Sequence, residues 1–189
     1  MVFLHKILLA SLAMVAPLAA QITSAQVVDK LDMMTQKSQD MQRLAQRPGR
    51  LGGLLGIGLI ALDQIVTDLN DIGNMASSIA SQMQSMPLMP AGPESKTMVN
   101  GFTEFTDSFM PVLYFFRDLD EPLPFLDVMK LPVADALKHA GTGVSSMGVT
   151  FIENLPSEIV ELQGKSDLVQ NFLRDSLQFW TSPDDQAIP

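Results

Sequence analysis

Apolar residues recur along this chain in alternating steps of four and three, the spacing of a helix that buries one face. In ITSAQVVDKLDMMTQKSQDMQRLAQ, residues 22–46, the positions Val27, Leu31, Met34, Ser38, Met41 and Ala45 share such a face. Asp29, Lys30, Asp32, Lys37, Asp40 and Arg43 fall largely outside it. Thr23 is placed to cap this helix and Gln26 to return a bond to the cap, the reciprocal capping box. Pro48 and Gly49 end it. Ser38 is the one polar member of the stripe. A hydroxyl there either bonds to the preceding turn of its own helix or faces a ligand.

Four more helices follow by the same rule. The stretch from Leu54 to Met86 keeps the rhythm through Leu55, Leu59, Leu62, Val66, Leu69, Ile72, Ala76, Ile79, Met83 and Met86. Gly49, Gly52, Gly53, Gly56 and Gly58 crowd its start, and each interior glycine costs a helix about 1 kcal/mol. Either this helix begins late, near Ile60, or the backbone there approaches something closely. PLMPAGPE is a linker. A third helix, about Ser95 to Asp118, carries Met98, Phe102, Phe105, Phe109, Val112 and Phe116 on one face, with a kink expected at Pro111. DLDEPLPFLD reads as an irregular but packed connection. The fourth helix, about Pro132 to Leu155, places Pro132 in its first turn and aligns Val133, Leu137, Ala140, Val144, Met147, Phe151 and Leu155. Its Gly141, Gly143 and Gly148 cost on the order of 3 kcal/mol in propensity, so they must let a neighbour come close or leave a space. The last helix, about Ser157 to Trp180, aligns Ile159, Leu162, Ser166, Val169, Leu173, Leu177 and Trp180. No stretch alternates as a strand does. The expected fold is all-α, a five-helix up-and-down antiparallel bundle.

Composition narrows the setting. The opening MVFLHKILLASLAMVAPLAA has a cation at Lys6, an apolar run from Ile7 to Val15 and small residues at Ala19 and Ala20. That is the pattern of a secretory signal peptide, with cleavage expected near Ala20 or, alternatively, Ala25. Residues 1–20 are therefore set aside, 21–182 read as one helical domain, and 183–189 as a polar tail. The chain of 189 residues has a net charge of −9. Without Lys6 it falls to −10, which repels nucleic acid and anionic membrane surfaces. There are no cysteines and no Asn-x-Ser/Thr sequon, so a secreted product would be held by its apolar core alone and would carry any sugar on Ser or Thr. The short polar C-terminus leads us to expect a soluble, released protein.

Catalysis is not expected. His139 is the single histidine after the leader, and no Cys nucleophile, Gly-x-Ser-x-Gly elbow or Glu-x-x-His pair occurs. The glycines near residue 50 lack the Gly-Lys-Ser/Thr of a phosphate loop. Asp118, Asp120 and Glu121 lack the loop glycine and terminal Glu of an EF-hand. No cofactor or metal is implied. What stands out instead is 11 methionines and nine phenylalanines beyond residue 20. Methionine adapts to irregular apolar shapes, and a Met/Phe interior opposite a glycine-bearing helix could enclose an apolar tunnel for an extended hydrocarbon chain. A helix of about 23 residues spans roughly 35 Å, enough to flank one.

The opening ITSAQVVDKLDMMTQKSQDMQ, with Ile-Thr-x-Ala-Gln-Val-Val and Thr-Gln-Lys-Ser-Gln, resembles the start of the fungal secreted cell-wall galactomannoproteins, the hydrophobic surface-binding protein A family. The likeness extends through the glycine-rich start of the second helix, LPVADALKH and the last helix. It implies a five-helix bundle that holds long-chain fatty acids, arachidonic or palmitic in type, in an apolar tunnel and thereby dampens host lipid signalling as a virulence factor. Other members of that family adsorb to hydrophobic surfaces and recruit hydrolases. The Ser/Thr-rich stalk and anchor signal of wall-attached relatives are not found in this sequence. In the family, hydroxyls fix the ligand carboxylate, for which Ser166 and Ser38 are the candidates here.

The expected ligand is thus a long-chain fatty acid or other single-chain lipid, bound by a secreted monomer or weak dimer that is either free or cell-wall associated. Its expected lining is Met34 and Ser38 from the first helix, Leu62 and Val66 from the second, and Phe105 and Phe109 from the third. The fourth would add Val144, Met147 and Phe151, and the last Ser166, Val169 and Leu173. The alternative function is a surface-active adhesin.

Overall fold

Thr23 and Gln26 cap the first helix reciprocally, as their spacing predicts. The Thr23 N–H donates to Gln26 Oε1 at 3.0 Å and the Gln26 N–H to Thr23 Oγ1 at 3.2 Å, satisfying donors for which the first turn has no partner of its own. The computed structural model describes residues 22–45, 55–117 and 126–181. They form α1 (Ser24–Ala45), α2 (Leu55–Met83), α3 (Pro93–Arg117), α4 (Leu126–Asn154) and α5 (Ile159–Thr181), with a short 3-10 segment at Pro156–Glu158. The fold is an all-α bundle of these five helices, with no strand among the described residues. The expected leader, the polar tail, Gly49 to Gly53 and the acids Asp118, Asp120 and Glu121 lie outside the described residues.

Two boundaries differ from expectation. α4 begins at Leu126, so Pro132 lies inside the helix and not in its first turn. The extra turns are anchored by Met129, buried one turn before Val133 and continuing its stripe, while Pro132 faces solvent. α2 ends at Met83, and the Met86 N–H closes a turn onto Met83 O at 2.9 Å. Pro111 does not end α3, which runs through it. One turn earlier the Ser108 carbonyl accepts a hydrogen bond from Gln42 Nε2 of α1, so a neighbour supports the segment where the proline ring replaces an N–H.

Each helix packs against two others among the described residues, and the contacts close into a ring in the order α1, α2, α4, α5, α3 and back to α1. Side-chain pairs give the directions. Ser24 meets Glu94 at the start of α1 and α3, and Gln42 meets Ser108 further along, so these two are parallel. Thr103 with Glu161 and Trp180 with Phe116 make α3 and α5 parallel too. Lys30 with Gln82 and Lys37 with Asp68 set α2 antiparallel to α1. The chain therefore alternates up and down, but α2 and α3, and α3 and α4, are sequence neighbours whose backbones do not pack side by side.

The most extensive seam, between the parallel α2 and α4, explains two glycines. A β-carbon on Gly143 would lie 2.4 Å from Gly73 O, and one on Gly73 would lie 3.0 Å from the His139 carbonyl carbon. The two backbones cross nearly in contact, as small residues permit. Gly148 has a different reason, because a β-carbon there would meet Ser166 Oγ of α5 at 2.5 Å. At both positions the room a longer side chain would fill is already taken by this chain's own atoms.

Candidate functional site

The inward faces of the five helices merge into one apolar core. Of the residues expected to line a ligand, Met34, Ser38, Leu62, Phe105, Phe109, Val144, Met147, Phe151, Ser166, Val169 and Leu173 are buried in it. Val66 is only half-buried and packs against the core from its edge. The α2 stripe is rotated slightly from the expected one: Ile65 is buried, whereas Leu59 is 37% exposed.

Aromatic rings bridge the centre. Phe102 of α3 stacks on Phe151 of α4 with centroids 5.1 Å apart, although these helices are not ring neighbours, and Phe105 stacks on Phe109 at 5.5 Å. Methionines Met34, Met41, Met83, Met98 and Met147 belong to the same core, all fully buried. Such a lining is adaptable, since the unbranched thioether chain can take several shapes at little cost.

The two candidate serines have partners inside the protein. Ser38 donates to Met34 O at 2.9 Å, one turn back on its own helix. Ser166 accepts from Gln170 Nε2 at 3.1 Å and sits against Gly148 and near Phe102. Sequence reasoning missed Ser176, which is fully buried and donates to Leu113 O at 3.0 Å, joining α5 to α3. The signal was present in Val169, Leu173, Ser176 and Trp180, a four-three-four run on the same stripe. Trp180 closes the seam by donating Nε1–H to Phe116 O at 3.0 Å. Phe116 O lies among the last carbonyls of α3, where a helix runs out of its own donors, so the Trp180 bond satisfies it.

Charge lies on the outside except at Asp68, which is buried and paired. Lys37 of α1 reaches Asp68 at 2.8 Å and Asp71 at 2.7 Å on α2. Burial opposes its charge, but hydrogen bonds and attraction to the two carboxylates outweigh that and raise its pKa above the ordinary 10.5. His139 bonds through Nε2 to Asn74 Oδ1 at 3.0 Å, at the α2–α4 seam. Among the described residues no cluster of His, Asp or Glu stands together as a metal site, and no helix is long and apolar enough to cross a membrane.

A groove of about 450 Å³ runs between α4 and α5 on the outer surface. Its floor is Leu137, Gly141, Leu173 and Leu177, and its rim carries Lys138, Arg174, Ser145 and Gln170. Among the described residues no carboxylate lines it. The groove beside Ile22 carries Asp29, and the one beside Lys37 carries Asp40 and Asp68. Comparison with family models, curated proteins and solved structures finds no match to this chain.

Proposed function

We propose that this protein is a secreted carrier that sequesters a long-chain fatty acid, or another single-chain lipid, within its helical bundle, so withdrawing that lipid from its surroundings. The observation that carries the reading is the make-up of the interior: a ring of helices whose core holds stacked phenylalanines together with five fully buried methionines. Met side chains that shift rotamer could make way for an acyl chain without disturbing the backbone seams. The signal-like opening and the resemblance to the fungal galactomannoproteins add support. Burial of each methylene contributes about 0.8 kcal/mol, so a long tail supplies the affinity once binding costs are subtracted. Ser166, with Gln170 beside it, is the hydroxyl best placed for a head group, since its partner is a side chain that can swing away; Ser38 is tied to its own backbone.

Native mass spectrometry of the protein purified from its secreted source, with extraction of any bound lipid, tests this. A stoichiometric long-chain lipid is expected, together with displacement by hexadecanoate. If no lipid co-purifies and a fluorescent fatty acid does not bind, the carrier reading fails.

A second reading, a surface-active adhesin, has its own observation. Ile60 on the first turns of α2, and Val128 and Leu131 on those of α4, are 70 to 74% exposed. These helices are parallel neighbours, so the three side chains lie at one end of the bundle. This reading expects adsorption to hydrophobic beads with loss of tertiary but not helical signal, and no ligand in solution.

A further inference from the structure

We infer that the outer α4–α5 groove is a site for an acidic sugar, a short saccharide carrying a carboxylate or a phosphate, and that it works independently of whether the interior carries a lipid. The surface this groove offers is polar. Its leucine floor is almost covered, with Leu137 1% and Leu173 6% exposed, whereas Lys138, Thr142, Ser146 and Arg174 stand open above it. A ligand there gains by charge and hydrogen bonds, since it finds little alkyl surface to bury.

One end of the groove is cationic. Gly141 faces Leu173 and Gly148 faces Ser166, so α4 and α5 are antiparallel in a register that puts Lys138 and Arg174 at nearly the same height on opposite banks. Asp135 and Asp175 lie within a turn of them in sequence, yet neither cation is held in an ion pair among the described residues. Arg174 donates to the Asn171 side chain at 3.4 Å, a weak bond easily exchanged. In a chain of net charge −9, an anion is drawn to the place where the surrounding negative field is locally reversed. Between the banks it meets two charged donors at once.

The other end presents acceptors. Thr142 and Ser146 donate to Lys138 O at 2.9 Å and Thr142 O at 3.0 Å, which commits their protons to their own helix and leaves only lone pairs to offer. Gln170 gives an N–H to Ser166 Oγ at 3.1 Å, and its carbonyl oxygen has no partner among the described residues. Ser145 departs from its neighbours. Thr142, Ser146 and Thr150 all bond back one turn, but the half-buried Ser145 hydroxyl makes no bond among the described residues, so both its proton and its lone pairs are open to a ligand in the groove. The two ends together describe the ligand: an anion at one end and hydroxyl donors along the rest, which is the make-up of a uronic acid or a sugar phosphate. A fatty acid has the anion without the hydroxyls, and a neutral sugar has the reverse. From Leu137 to Ser146 the groove follows nine residue steps of α4, about 13 Å, and its volume of about 450 Å³ falls in the range of small-molecule sites.

The test is an amide NMR titration of the intact protein with glucuronate and with glucose 6-phosphate. Glucose serves as the sugar without charge, acetate and inorganic phosphate as the charge without sugar, and octanoate as the charge on an alkyl tail. The acidic sugars should shift Gly141, Ser145, Gln170 and Arg174, and the tighter of the two identifies the anion. Glucose, acetate and inorganic phosphate should each bind about tenfold more weakly, and octanoate no better than acetate. K138Q/R174Q should weaken the tighter acidic sugar about tenfold, about threefold for each partly solvated charge. Ser145→Ala should weaken it about fivefold, the worth of one hydrogen bond, while the melting temperature does not fall, because that hydroxyl has no partner in the fold to lose. Long-chain lipid detected by native mass spectrometry should be the same in parent and variants, which separates this site from the interior. The inference is overturned if glucose, inorganic phosphate or octanoate binds as well as the acidic sugars, or if either variant binds unchanged. Absence of shifts at millimolar acidic sugar overturns it equally.

Discussion

Replacing Gly143 by Ala and Gly164 by Ala makes the same chemical change in two helices and should move stability in opposite directions. In a helix interior alanine is favoured over glycine by about 1 kcal/mol, because glycine loses more backbone freedom on folding. Gly164 on α5 has nothing within 4 Å of its would-be β-carbon, so Gly164→Ala should realise that gain and raise the melting temperature by about 2 to 4 °C for a chain of this size. At Gly143 the new carbon would lie 2.4 Å from the Gly73 carbonyl oxygen and 3.1 Å from its carbon. Those atoms are backbone and cannot rotate aside. Restoring an ordinary contact requires α2 and α4 to part by about 1 Å, which loosens a close-packed seam. Overpacking of this kind costs about 3 kcal/mol at the upper end, so after the propensity gain Gly143→Ala should destabilise by about 2 kcal/mol. Urea unfolding followed by far-UV circular dichroism reads both, with an unchanged denaturant slope as the check that the unfolded state is the same. The separation between the two variants should be about 3 kcal/mol. Should Gly143→Ala prove as stable as the parent, the backbone crossing of α2 and α4 is not as described, and the reason given for that glycine is wrong.

Three further outcomes follow from single contacts. Thr35 Oγ1 is buried without a hydrogen-bond partner, so Thr35→Val, which keeps the shape and removes the unmet group, should stabilise by about 1 kcal/mol in the same assay. Trp180→Phe deletes the donor to Phe116 O and leaves a gap beside Phe116, 5.8 Å away centroid to centroid; a loss of about 2 kcal/mol is expected, and no loss would show that this bond is not made in solution. Lys37 has a raised pKa in the folded state, so its contribution is complete below the unfolded value near 10.5 and is lost as pH rises through the raised one. The stability difference between the parent and Lys37→Met should therefore be constant, at about 1 kcal/mol, from pH 6 to 9 and shrink above pH 10.5; a difference that disappears by pH 8 would contradict the pairing with Asp68 and Asp71.

The helices were legible in the sequence because each carries an apolar stripe at constant period, and the stripes of α3 and α4 are buried at every position the spacing marked. The capping box at Thr23 was legible for a similar reason, being a pattern confined to four residues. What periodicity does not carry is which helices touch. Parallel packing of α2 on α4 depends on Gly73 and Gly143 meeting in space, 70 residues apart in the chain, and either glycine alone reads only as a propensity defect. The early start of α4 was hidden by Pro132, whose usual place is a first turn. The groove between α4 and α5 was invisible for the same reason as the seam: Lys138 and Arg174 are ordinary surface cations until the antiparallel register sets them on opposite banks.

That dependence on register bears on where a ligand could be held. Five helices in a ring, each with its backbone packed beside only two others, must close the space between them with long side chains. Phe102 and Phe151 do this by stacking across the ring, in a core that also holds the buried methionines. In a chain without disulfides this centre and the seams have separate tasks. The seams fix the helices through backbone contact at Gly73 and Gly143 and through the carbonyl bonds from Ser176 and Trp180, none of which involves a methionine. Exchange of Met rotamers in the core would leave those seams, and so the register of the frame, untouched. Rigidity at the glycine crossings is thus what makes an adaptable interior compatible with a single fold.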